Sequence, residues 1–307
     1  MSQPAPQGAF ANRTVIVTGA AGSIGAPLCF ALARAGAHVI ANDIGCSPNG
    51  EGSSAAPVLG LVAKMKAEGL SAVADTHNVA TEADKIVATA ISHFGRLDVL
   101  INNAGIIQYN SIQDQSLDGL REILEVNAVG AYALCHFAWP HMQAQRYGRI
   151  INFTSDSVFG MPNSSAYAMA RGAMLGVTRT LAVEGKPHGI LVNTVGPSSY
   201  SRMVSDVSKD LPTDQLEWFK ATYTGESNVA VILTLASERI TSSGEIWTSG
   251  AFNMGRTMLS SVQDVRNVQT VDQCISAMQE LKEEGRRSTE PYSIQEFLAF
   301  KAQAPDS

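Results

Sequence analysis

Short β-branched runs alternate with longer segments of helical spacing along most of this chain, and that alternation constrains its fold more than any other feature. TVIVTG (14–19), HVIAND (38–43), SAVADT (71–76), LDVLINNAG (97–105), RIINFTS (149–155), ILVNTVGP (190–197) and EIWTSG (245–250) read as strands. Between most of them lie helical patterns, such as Leu28, Leu32 and Ala35 before Gly36, or Ile86, Ala90 and Phe94 before Gly95. Strands rich in β-branched residues and joined by helices build βαβ units and a parallel sheet buried on both faces. The pattern predicts an α/β fold with a doubly wound, seven-stranded parallel sheet. Apolar residues make up 45% of the 307, enough for a sizeable core.

The polar, Pro-rich start predicts a flexible N-terminus over 1–11. The main domain is expected over 12–259, with a Gly/Ser/Pro loop from Gly45 to Pro57 inserted after the second strand. From about Ser260 the strand pattern stops. DQCISAMQELKEEG and SIQEFLAFKA then predict a helical C-terminal extension over 260–307, packed on the domain or on a neighbour.

A net charge of −6 argues against nucleic acid as the main partner, because such proteins usually carry a basic face. No apolar run reaches the roughly 18 residues of a spanning helix. The N-terminus has no apolar core of a signal peptide, and APDS is not a peroxisomal S-K-L address. Cys29, Cys46, Cys135 and Cys274 show no C-x-x-C spacing and read as reduced thiols of a cytoplasmic protein. The six histidines form no H-E-x-x-H motif, and no metal site is expected.

Gly19, Gly22 and Gly25 sit where the first strand turns into the first helix. Glycine there lets the chain turn tightly and bring backbone N–H groups up to a pyrophosphate. The G-x-x-G-x-x-G spacing also brings Ser23 and Ile24 to the helix start. A bare tight turn uses the same residues, but the strand before and the helix after favour a nucleotide. Asp43 ends the second strand, where a carboxylate accepts from a ribose 2′-OH and repels a 2′-phosphate. No Arg or Lys lies between Gly19 and Leu32 or between Ala35 and Lys64, so the reading favours NAD over NADP. The alternative for Asp43 is a loop cap.

Tyr167 and Arg171 fall one helical turn apart in AYAMARGA. They follow NNAG (Asn102 to Gly105), VNAVGAY with Asn127, and RIINFTSDS with Thr154 and Ser155. Together with the glycine turn, these motifs resemble the short-chain dehydrogenase/reductase family over most of residues 12–255. NDIG, FAWPHMQAQRYGRI, LAVEGKPHGILVNTVGP and SRM look like the (3R)-hydroxyacyl-CoA dehydrogenase part of the multifunctional β-oxidation enzymes. The resemblance implies a Rossmann sheet, NAD, and oxidation of a 3-hydroxyacyl thioester, with steroids and other secondary alcohols as substrates of related members.

Removing a carbinol proton calls for a base, and free tyrosine, with a pKa of about 10, is too weakly acidic to supply phenolate near neutrality. A fixed cation favours phenolate, which makes Tyr167 the candidate base and Arg171 its cation. The family has lysine at the position of Arg171. Arginine is bulkier, planar and does not readily release a proton, so a proton relay through it is in doubt. Asn127 is expected to kink its helix and continue a proton path. For the substrate-holding hydroxyl, the family spacing counted back from Tyr167 gives Thr154, whereas counting along the strand from Arg149 gives Ser155. Strands tolerate deletions less well than loops, which favours Ser155. Ser157 is a further candidate.

By position, Asn78 and Val79 would flank the adenine, and Asn102, Ala104 and Gly105 would run along the cofactor. Pro197 and Ser201 would face the nicotinamide, with the Val195 backbone toward its carboxamide. Asn78 also reads as a turn former and Ser201 as a helix N-cap. Tyr200, Met203, Leu211, Trp218 and Phe219 could line an apolar site for an acyl chain, a steroid or a polyketide, with Arg202 or Lys209 meeting a CoA phosphate. The long helices, with the Tyr132, Cys135, Trp139 and Met142 stripe, suggest core packing or a helix-on-helix homodimer or homotetramer. A cofactor-binding protein with lost or redirected redox chemistry is the rival reading.

Overall fold

The computed structural model describes residues 8–208, 211–282 and 287–302. Residues 1–7 of the expected flexible N-terminus, and Lys209, lie outside them.

Seven parallel strands form the sheet: β1 (Thr14–Thr18), β2 (His38–Asn42), β3 (Ala72–Asp75), β4 (Val99–Asn102), β5 (Gly148–Phe153), β6 (Ile190–Pro197) and β7 (Ile246–Gly250). Their order, β3-β2-β1-β4-β5-β6-β7, reverses direction between β1 and β4. The doubly wound expectation therefore holds, and a ligand crevice belongs at the strands' C-terminal ends beside that switch.

An eighth strand, β8 (Asn253–Thr257), adds to the edge beyond β7. The sequence expectation of seven misses it for a physical reason. NMGRT is almost wholly exposed and shows no apolar alternation. Its turn residues Ala251 and Phe252 both hold positive φ without the Asn-Gly or Asp-Gly signal of a tight hairpin.

Side chains of a strand alternate between faces, and β1 shows how this divides the core. Val15 and Val17 join one buried cluster with Leu28, Leu32, Val58 and Ile232. These come from α1 (Gly25–Arg34), α2 (Ala56–Ala67) and, after the loop region that contains α7 (Arg202–Ser208) and α8 (Thr213–Thr222), α9 (Val229–Ala236). Ile16 joins the other cluster with Ile86, Leu134, Met142 and Ala182, supplied by α3 (Ala83–Phe94), α5 (Gly130–Gln145) and α6 (Ser165–Gly185). Each fully buried Leu or Ile contributes roughly 1.5–3 kcal/mol.

The segment leading into α5 is not one helix. α4 (Leu117–Leu124) passes through a π-helical turn at Glu125–Val129 before α5 begins. Asn127 sits in that turn. The contacts of the chain form two units, one ending at Arg256 and one running from Thr257. The second unit contains α10 (Val271–Glu280) and α11 (Ile294–Ala302) near the two expected helical stretches. It also holds a short antiparallel pair, β9 (Ser261–Val262) with β10 (Ser288–Thr289), which sequence reading did not anticipate. Two-residue strands carry too little pattern to be read.

Candidate active site

A cavity of about 1410 Å³ opens at the C-terminal ends of the parallel strands. Gly19, Gly22, Ser23 and Ile24 form one wall. Gly19 holds φ +63°, and a Cβ there would meet Asn103 Nδ2 at 2.8 Å. A Cβ on Gly25 would lie 2.2 Å from the Gly19 carbonyl oxygen, so this position shapes the turn although it does not line the cavity. A backbone packed this closely fits a dinucleotide pyrophosphate.

Asp43 lines the same wall, and its carboxylate already accepts from two backbone N–H groups, Ala21 at 2.8 Å and Gly45 at 2.7 Å. The loop-capping role and a ribose-binding role are therefore compatible, since an ionised carboxylate has about four acceptor sites. The structure also brings Arg202, remote in sequence, to the cavity and within electrostatic reach of Cys46. Asn78 and Val79 line the cavity; the Asn78 side chain accepts from Ala80 N–H at 2.9 Å, as a turn former does. Beside them is His77, whose ring pairs with buried Asp75 at 3.0 Å.

Several predicted residues face elsewhere. Asn102 is buried and donates to Asn152 Oδ1 at 2.8 Å, outside the cavity lining. Its neighbour Asn103 lines the cavity instead and donates to the Thr18 and Gly19 carbonyls at 2.7 and 3.0 Å, clamping the glycine turn to the end of β4. Alternation along a strand explains the exchange: one of two adjacent asparagines points into the core. Val195 is fully buried, and its carbonyl accepts from Thr154 N–H at 2.9 Å, so that backbone oxygen is already engaged. Asn127 is likewise fully buried and absent from the lining. Its amide holds the backbone on both sides of one residue, accepting from Ile106 N–H and donating to Ile106 C=O, each at 2.8 Å. Ala104, Gly105, Pro197 and Ser201 do line the cavity.

Tyr167, in the first turn of α6, and Arg171, one turn on, face the cavity together. The guanidinium carbon lies 5.3 Å from the Tyr167 ring centroid. Its nitrogens reach back to strand-end carbonyls, Nη1 to Phe153 at 3.3 Å and Nη2 to Ala104 at 3.4 Å. Nε is buried without a partner. A Cβ on Gly105 would meet Nη2 at 1.9 Å, so glycine at 105 is what makes room for arginine at 171. Arg171 is 4% exposed and has no carboxylate among its hydrogen-bond partners. A buried cation held only by carbonyls suits a site that receives hydroxyls or negative charge from a ligand.

Thr154 is buried and spends its hydroxyl on the Arg171 carbonyl at 3.0 Å. Ser155 Oγ accepts from Ser157 N–H at 3.2 Å, which leaves its proton free to donate into the cavity. Ser157 Oγ is buried and unpartnered. Met161, Met203, Leu211, Trp218, Phe219 and Tyr223 also line the cavity and give it apolar surface. The last three rings stack edgewise or tilted at 5.2–5.8 Å.

A glycine-cradled crevice on a doubly wound sheet, lined also by a tyrosine, a cation and a free serine hydroxyl, defines a nucleotide-dependent oxidoreductase site. The short chain dehydrogenase family profile matches residues 13–212, and the chain belongs to that family. It is 37% identical over 243 residues to peroxisomal multifunctional enzyme A of Dictyostelium discoideum, covering 79% of this chain and 53% of that protein. It is 39% identical over 212 residues to a peroxisomal hydratase-dehydrogenase-epimerase of Neurospora crassa, covering 69% of this chain and 23% of that one. It therefore spans about half or less of the length of these relatives. The crystal structure of a short chain dehydrogenase from Mycobacterium avium matches with a TM-score of 0.76 at 27% identity, over 90% of this chain and 98% of that one. The family binds a nicotinamide dinucleotide, and the redox reading is favoured over that of a protein without such chemistry. Among the described residues, no helix is long and apolar enough to cross a membrane.

Proposed function

We propose that this chain is an NAD-dependent dehydrogenase that interconverts a secondary alcohol and a ketone, with a 3-hydroxyacyl thioester as its substrate. The observation that carries this reading is the convergence of Tyr167, Arg171 and Ser155 on a cavity that the Gly19–Ile24 turn also lines. That turn would hold the pyrophosphate, Asp43 the adenosine ribose, and Asn78 with Val79 the adenine. A bound nicotinamide supplies the hydride acceptor or donor. Tyr167 takes the carbinol proton in oxidation and returns it in reduction. Ser155 donates to the same substrate oxygen. Arg171 supplies positive charge beside the phenol and donors toward the nicotinamide ribose, while solvent closes the proton path that arginine cannot serve.

The Asp43 carboxylate supports NAD, because a 2′-phosphate beside it would be repelled. The acyl assignment rests on the resemblance of NDIG, FAWPHMQAQRYGRI, LAVEGKPHGILVNTVGP and SRM to the (3R)-hydroxyacyl-CoA dehydrogenase part of the multifunctional enzymes, and on the apolar residues that line the cavity. Free cysteines, with no disulfide, suit a reducing compartment, and we read the protein as cytoplasmic. Exposed Val129, Tyr132 and Phe137 along one stripe of the π turn and α5, with Met169 and Val183 on α6, support a homodimer or homotetramer.

The test is NAD(P)H absorbance with purified protein, run in both directions on 3-hydroxyacyl-CoA and 3-oxoacyl-CoA substrates of several chain lengths beside a hydroxysteroid. Turnover with NAD(H), faster than with NADP(H) and dependent on acyl length, is expected. Preference for the steroid or for NADP(H) would overturn the substrate or cofactor assignment, and a monomeric mass by light scattering would overturn the assembly.

A further inference from the structure

The segment between β4 and α4 carries a second phenol, which sequence reading passed over. Tyr109 is half-buried and lines the same cavity as Tyr167. Neither hydroxyl meets a protein partner among the described residues, so both are available to whatever fills the space between them.

Three contacts fix this segment. The Asn127 amide bonds both the N–H and the C=O of Ile106 at 2.8 Å. Ile107 N–H donates to the Pro48 carbonyl at 2.9 Å, tying the segment to the inserted loop. The Ile106 side chain is buried in a small cluster with Ala166 and Ala170, the α6 residues that flank Tyr167 in sequence. Ile106, three residues before Tyr109, is therefore packed against the same helix that presents Tyr167.

Resting on the alcohol–ketone reading above, we propose that Tyr109 is a specificity-determining residue that donates a hydrogen bond to a second substrate oxygen, the acyl carbonyl of a 3-oxoacyl or 3-hydroxyacyl group, while the reacting oxygen lies on Tyr167 and Ser155. A 1,3-dioxygenated acyl group presents two acceptors on alternate carbons, and two donors on one cavity can read both. Burial, and then the charge of an ionised Tyr167, push the Tyr109 phenol up to about 12. It therefore stays protonated, and a donor, at neutral pH. A site built to hydrogen-bond a substrate oxygen disfavours the analogue that lacks it, because the donor is then left unpaired. This gives the cavity a chemical reason to prefer a 3-oxoacyl thioester over an isolated ketone of the same length.

The test compares full-length wild type with Tyr109→Phe, saturated with oxidised cofactor so that ketones bind without turnover. The ligands are acetoacetyl-CoA and its S-(3-oxobutyl)-CoA thioether, which keeps the ketone and the CoA but lacks the acyl oxygen. Calorimetry is expected to show wild type binding the thioester about three- to tenfold more tightly, the worth of one neutral hydrogen bond. Tyr109→Phe should lose that preference through weaker thioester binding, with thioether affinity held. A preference retained in the variant, or both ligands weakened alike, overturns the proposal. NADH turnover of acetoacetyl-CoA by wild type is read separately. Its absence beside a Tyr109-dependent preference would sink the redox reading and leave this one standing; turnover with the preference intact in the variant would do the reverse.

Discussion

Arg171 is the residue at which this chain departs from its family's usual lysine, and the structure shows how the departure is accommodated. A guanidinium is too bulky to follow a lysine's path without room, and Gly105 provides it. The cation then rests on the Phe153 and Ala104 carbonyls through long bonds and leaves Nε unmet. Two long neutral bonds hold a buried charge weakly, so its value to the protein lies in what the ligand brings. Arg171→Lys should therefore stay within about tenfold of wild-type kcat, because charge and a donor remain. Arg171→Met should lose roughly 100-fold, and Tyr167→Phe at least as much, in the range seen when a general acid–base is removed. Steady-state kinetics beside NADH fluorescence titration separates the two losses: Tyr167→Phe should keep cofactor affinity, and Arg171→Met should weaken it. Arg171→Lys falling to the level of Arg171→Met would show that the planar guanidinium itself is required. The Tyr167–Arg171 pairing was legible in sequence because i, i+4 spacing on a helix fixes proximity. The direction of the guanidinium was not, because it depends on carbonyls at the ends of two strands distant in sequence. The choice among Thr154, Ser155 and Ser157 narrowed for the same reason, once Thr154 was seen to spend its hydroxyl on α6.

Among the elements, the interrupted helix around Asn127 shows what local pattern can and cannot convey. The sequence from Asp118 to Gln145 reads as one long helix, and a kink at Asn127 was expected. The structure has a π-helical turn there instead, a feature often found at functional sites. The turn aims the amide at Ile106, so Asn127 acts on the segment that follows β4 and does not touch the cavity. No local rule reports that partner, which lies 21 residues earlier. Long, strongly patterned elements such as β1 and α3 were readable because their periodicity is dictated by the core they face. β8, β9 and β10 were not, since exposed or two-residue strands are specified by pairing alone. Asn127→Ala would leave a buried N–H and a buried carbonyl of Ile106 without partners, at a cost of about 1–3 kcal/mol for each unsatisfied group. Urea unfolding should show a loss of about 2–6 kcal/mol for the variant, and stability within about 0.5 kcal/mol of wild type would mean that water or relaxation replaces the clamp.

Across the whole main domain, the parallel sheet separates chemistry from stability. Every cavity-lining strand residue discussed above belongs to the C-terminal ends of the strands, and the opposite ends carry an ion cluster around Asp98. Its carboxylate has no side-chain exposure and accepts from Arg96 at 2.6 and 2.7 Å, from Arg13 at 2.9 Å and from Thr14 N–H at 2.9 Å. Arg13 and Arg149 lie over the Tyr147 ring at 3.9 and 4.4 Å, which joins β1, β4 and β5 at that edge. Burial alone would raise the Asp98 pKa, but Arg96, the Thr14 N–H and Arg13 hold the carboxyl below its ordinary 3.8. A folded value below the unfolded one means that this stabilisation is complete above about pH 5 and is lost as pH falls through the folded value. Asp98→Ala should therefore lower unfolding free energy at pH 7 by about 2–4 kcal/mol, since it strands the Thr14 N–H, takes the carboxylate from Arg96 and leaves Arg13 with Glu238 alone. The gap from wild type should narrow steadily below pH 4, where the wild-type carboxyl takes up its proton. NADH affinity of the folded variant should stay at the wild-type level, because the binding crevice lies at the other end of the strands. A gap that stays constant from pH 7 to pH 3 would show that Asp98 stabilises through shape and not through charge, and a matching loss of NADH affinity would show that the two edges of the sheet are coupled.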